Sequence, residues 1–69
     1  MVVIIVLKNG FILRFCNAKG LLVSDVNLIV DNVYERYSTR EDGFKSKCVE
    51  TFDFPLDLIA NWEVMYVSH

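Results

Sequence analysis

The chain has 69 residues, with seven Lys and Arg against nine Asp and Glu, a net charge of −2 and 54% hydrophobic side chains. That length allows one domain with one core, and the acidic balance supplies no global attraction to nucleic acid or anionic lipid. No run approaches the ~20 apolar residues of a membrane-spanning helix, and the opening apolar run is too short for a secretory signal, so a cytoplasmic protein is expected.

Val2 to Leu7 is an unbroken apolar run, and Phe11 to Cys16 is a second, with Asn9-Gly10 between them. Asn-Gly between two β-prone runs predicts a hairpin with a two-residue type I′ turn, which needs positive φ at both central residues. That loop length sets the expected pairs. Lys8 faces Phe11, Val6 faces Leu13, Ile4 faces Phe15 and Val2 faces Asn17 on one side; Leu7 with Ile12, Ile5 with Arg14 and Val3 with Cys16 share the other. Both sides are then largely apolar, although a hairpin with one wet face should alternate. Either the rest of the chain covers both sides or a second copy covers one.

Asn17-Ala18-Lys19-Gly20 reads as a turn and Leu21-Leu22-Val23 as a short apolar run. Residues 24–38 carry two signals. Val26, Ile29, Val30, Val33, Tyr34 and Tyr37 fit helical spacing with Ser24 as an N-cap. The Val, Ile, Tyr, Asn and Asp content points instead to strand, with a break near Asp31-Asn32. Strand is the preferred reading. Thr39 to Gly43 is a polar loop. Lys45 to Phe54 then alternates as a strand, with Cys48, Glu50, Phe52 and Phe54 on one face and Lys47, Val49, Thr51 and Asp53 on the other. Pro55 ends it, Leu56 to Ala60 suits a 3₁₀ turn, and Trp62 to Val67 is the closing strand. An all-β fold follows: a small curved antiparallel sheet or a five-stranded barrel. An α+β fold with one helix near 24–37 is the alternative.

Leu7-Lys8-Asn9-Gly10, then Gly20, Leu22, Asp25 and the run Asn27 to Asn32, resemble the Sm-like family of small SH3-like barrels, with Leu58 to Val67 where its last turn and strand would lie. That resemblance implies a ring-forming barrel that binds RNA, with Asn27 as the base-contacting residue. The closing turn carries no Arg-Gly pair to stand beside it. In style the chain is also similar to short β proteins of phages and mobile elements, which open on a Lys-Asn-Gly hairpin and close with a proline, a turn and an aromatic strand.

Residues able to carry chemistry are few. Cys16 and Cys48 lie far apart outside any C-x-x-C pair and read as buried free thiols. His69 is the only histidine and ends the given sequence. Glu50, Asp53 and Asp57 would need a cleft to act as acid–base groups. No phosphate loop or nucleophile elbow is present, so neither an enzyme nor a cofactor or metal is expected. Arg36, Arg40, Lys45 and Lys47, with Tyr34, Tyr37 and Phe44 among them, are the candidate interaction surface, although Glu35, Glu41 and Asp42 nearly cancel their charge. The expected function is protein–protein interaction by a self-associating chain, a dimer first, acting on an unidentified protein partner. RNA binding is the alternative. Self-association also fits stability, because a chain this short buries only about 60% of its unfolded surface.

Overall fold

The computed structural model describes residues 1–37 and 45–66. Over these residues the chain forms β1 (Val2–Leu7), β2 (Ile12–Phe15), β3 (Ala18–Val23), β4 (Asn27–Tyr37), β5 (Lys45–Pro55), a 3₁₀ turn (Leu56–Leu58) and β6 (Ile59–Met65). They pair as two three-stranded antiparallel sheets, in the orders β2-β1-β6 and β3-β4-β5. The fold is all-β, as expected, but the barrel is not closed. No ladder joins β2 to β3 or β5 to β6 among the described residues; the chain turns a corner at Cys16-Asn17 and again after Pro55. The sheets are tied at one corner, where the Ala18 N–H donates to the Met1 carbonyl at 3.0 Å and the Met1 amino group to the Ala18 carbonyl at 3.2 Å.

The first hairpin differs from the expected one by a single residue. Leu7 donates to the Phe11 carbonyl at 2.8 Å and accepts from Gly10 N–H at 2.9 Å, so the loop is Lys8-Asn9-Gly10, three residues long. Gly10 has φ +94°, and no other described residue has positive φ, so Asn9 cannot belong to a type I′ turn. Its side chain serves differently: Asn9 Oδ1 accepts the Phe11 N–H at 3.0 Å. The extra loop residue moves the register to Val3–Phe15, Ile4–Arg14, Ile5–Leu13 and Val6–Ile12. Because side chains alternate, that slip changes which residues share a face. Val3, Ile5, Leu13 and Phe15 now lie together, facing inward, while Ile4, Val6, Ile12 and Arg14 lie outward.

Over the described part of the stretch 24–38, through Tyr37, there is no helix. Ser24 does accept backbone N–H groups as a cap would, from Asn27 at 3.0 Å and Val26 at 3.3 Å, but its own N–H donates to the Asn27 carbonyl at 2.9 Å. That closes a tight turn and sends the chain back as β4. Leu28 and Val30 are fully buried while Ile29 and Asp31 are half-buried, a period of two rather than 3.6. The expected break at Asp31-Asn32 is absent too, because both polar side chains find partners. Asp31 Oδ1 accepts the Thr51 hydroxyl at 2.7 Å, and Asn32 Oδ1 accepts the Asn17 N–H at 3.3 Å. The expected turn at 17–20 also moves: β3 begins at Ala18, and a register irregularity between Ala18 and Gly20 absorbs Lys19.

The later elements lie near their expected places. β5 runs to Pro55, the 3₁₀ turn follows at once, and β6 starts three residues earlier than the closing strand read from sequence. The core joins the two inner faces. Val3, Ile5, Phe15 and Ile59 from one sheet pack with Ala18, Leu28 and Val30 from the other. Phe15 bridges them, with its ring centroid 4.9 Å from Phe52 and 6.1 Å from Phe54. No described helix is long and apolar enough to cross a membrane.

Candidate functional site

Two regions stand apart from the core, at opposite ends of β4 and β5. One gathers three turns. The Lys8 N–H donates to the Leu58 carbonyl at 2.8 Å and the Leu56 N–H to the Val26 carbonyl at 2.9 Å, so the first hairpin loop, the Ser24 turn and the 3₁₀ turn share one end. That end leaves Phe11 (68%), Ile12 (67%), Val26 (67%) and Leu58 (56%) exposed. Sequence reading missed it, since each residue belongs to a different local element and only the tertiary hydrogen bonds bring them together.

The other region is a two-stranded ribbon. β3 pairs β4 no further than Asn32, apart from the Val33 N–H donated to the Asn17 carbonyl at 2.9 Å. Beyond it, β4 and β5 continue alone, from Val33–Val49 to Tyr37–Lys45. Three of the four expected interaction residues lie here; Arg40 falls outside the described residues, as do His69 and the loop at 39–43. The register divides the three. Lys45 and Lys47 share the outward face with Glu35, and the Lys45 ammonium meets Glu35 at 2.9 Å. Arg36 pairs with Ser46 and so takes the opposite face. The ribbon does not build one basic patch.

The carboxylates do not converge either. Glu50 and Asp53 alternate onto opposite faces of β5, and Asp57 lies in the 3₁₀ turn. Among the described residues no three His, Cys, Asp or Glu side chains gather as a metal site. Cys48 is half-buried as expected of a packed thiol, but Cys16 is exposed at the corner between β2 and β3. At the base of the ribbon lies an open recess of about 390 Å³, lined by Asn17, Lys19, Val33, Tyr34, Glu35 and Lys47 among others. Its charges are exposed and of both signs, which is the lining of a solvated surface rather than of an apolar ligand pocket.

The edge of β5 that no described strand pairs has a definite backbone polarity. On β4, Val33 N–H and Asn27 C=O point toward β3, so the odd residues of β4 face β3 and its even residues face β5. The β4–β5 register pairs even with even, from Leu28–Phe54 to Arg36–Ser46, without a shift. The odd residues of β5 therefore aim their N–H and C=O groups away from β4. These are also the residues whose side chains lie outward: Lys45, Lys47, Val49, Thr51 and Asp53. Val49 sits in the middle of this edge and is 52% exposed.

No protein-family model, no curated protein and no solved structure matches the chain.

Proposed function

We propose that this chain is an interaction protein, not an enzyme, and that it self-associates, as a dimer first, and binds another polypeptide. The observation that carries self-association is its excess of surface. The accessible area is 5454 Å², whereas a compact monomer of 8.0 kDa exposes about 4,450 Å². The radius of gyration, 14.4 Å, likewise exceeds the about 11 Å of a compact 69-residue domain. The difference of about 1,000 Å² is what one partner contributes to an interface of ordinary size, about 800 Å² or somewhat more. The exposed Phe11, Ile12, Val26 and Leu58 are the surface offered to a further partner, since exposed apolar side chains gathered at one end of a molecule mark interaction sites. An accessory role, of the sort small phage and mobile-element proteins fill, is compatible with such a surface.

RNA binding has less behind it. Arg36 lies across the ribbon from Lys45 and Lys47, and Glu35 compensates Lys45. Light scattering on the full chain across the micromolar range tests the main reading. A mass of two chains that falls toward one on dilution is expected; one chain at every concentration overturns it. A gel shift with single-stranded RNA that weakens steeply with added salt would favour the RNA reading instead.

A further inference from the structure

We infer that the self-association surface is the free edge of β5, and that a second copy adds its own β5 antiparallel to it about a two-fold axis at Val49. This rests on the self-association reading and says where the contact lies. In the described residues β5 is an eleven-residue strand paired only to β4. Its ribbon half has a single partner, and a two-stranded ribbon is marginal in water without a third strand. The outward backbone groups of Lys47, Val49, Thr51 and Asp53 form a ready ladder.

The side chains select the register. In-phase antiparallel pairing must set odd residues against odd ones, which leaves steps of two. Centred on Val49, it places Lys45 opposite the second copy's Asp53, Lys47 opposite its Thr51 and Val49 opposite itself, twice over by symmetry. On the other face Cys48 meets Glu50 and Ser46 meets Phe52. Lys45 also holds Glu35 within its own chain, and Asp53, which accepts the Asn27 amide at 3.5 Å, brings a second carboxylate to the same charge. Shifting one step pairs Lys47 with Asp53 but sets Glu50 against Glu50, a like-charge pair at the axis itself, and leaves Lys45 opposite Pro55, which has no N–H to donate; shifting the other way sets the lysines against Val49 and Thr51 with no acidic partner. Lysines on an edge strand ordinarily deter pairing. Here the same strand carries Asp53, which answers Lys45 across the two-fold axis at Val49.

The backbone polarity makes the test selective. The Val49 N–H points outward, so Val49→Pro removes both hydrogen bonds of the central pair between copies, one from each chain, and none from the β4–β5 ladder. Cys48 before it is already extended, as a residue preceding proline prefers. Sedimentation of the full-length variant is expected to show one chain, with the wild-type β circular dichroism retained. Asp53→Lys should weaken dimerisation at least tenfold, and the double exchange K45D/D53K should restore it to within about threefold of wild type, since one opposed pair is reversed at both symmetric positions. A Val49→Pro protein that unfolds, or that dimerises as tightly as wild type, overturns the edge assignment; so does a double exchange as weak as Asp53→Lys alone. A wild-type chain that is monomeric throughout fails the self-association reading itself, which a dimeric Val49→Pro protein does not.

Discussion

Asn9 and Gly10 show how much a single residue decides. Both are favoured by the turn, but for different reasons. Gly10 takes φ +94° with no atom within 4 Å of where a Cβ would be, so Gly10→Ala meets backbone strain and no clash. That strain costs about 1–2 kcal/mol. Asn9 has no positive φ, and its contribution is one exposed hydrogen bond to the Phe11 N–H, about 0.5–1 kcal/mol. Urea unfolding should therefore rank Gly10→Ala as the more damaging, whereas a type I′ turn would make the two comparable. Phe15 carries more than either. Its ring touches both Phe52 and Phe54 across the sheets, and Phe15→Ala should remove about 3–5 kcal/mol. For a domain so small that approaches the whole stability, so loss of a cooperative unfolding transition is the expected readout.

Among the elements, those whose identity rests on alternation were legible and those decided by tertiary partners were not. Lys45 to Phe54 could be assigned to faces from sequence because Thr51-Phe52-Asp53-Phe54 alternates and sets the phase of the strand, and the structure keeps those faces. In β4 the same period was hidden. Val26, Ile29, Val30 and Val33 also match a helix, and Asp31-Asn32 reads as a breaker until Thr51 and Asn17 are seen to satisfy both side chains. The hairpin register failed for a subtler reason: two-residue and three-residue loops both use glycine, and one residue of difference inverts the faces of β2. The basic residues Arg36, Lys45 and Lys47 were close in sequence reading, but no pattern in their spacing revealed that the ladder divides them between two faces. One consequence of the β5 polarity can be read directly. Amide exchange of dilute protein should alternate along the strand, with Ser46, Cys48, Glu50 and Phe52 protected by β4 and Lys47, Val49 and Thr51 exchanging fast. Protection of the odd set under conditions where the protein is monomeric would mean that the backbone polarity is reversed.

For the whole molecule, shape and stability pose one problem. The structure extends 45 × 26 × 22 Å, its described core is a small set of residues around Phe15, and the ribbon draws nothing from that core. A second copy laid along β5 would bury edge and ribbon together, so folding and association become linked. Linkage has a measurable sign. When the folded state is a dimer and the unfolded state is not, each tenfold rise in protein concentration adds about 1.4 kcal/mol per dimer, or about 0.7 kcal/mol per chain, to apparent stability. For a domain of this size that raises Tm by about 3–5 °C per tenfold step. Calorimetry of the wild-type chain over a hundredfold range of concentration should follow this slope, whereas Val49→Pro should show a lower Tm that does not move with concentration. A flat wild-type Tm over that range would mean that the small core stands alone and that the excess surface serves some partner other than a second copy.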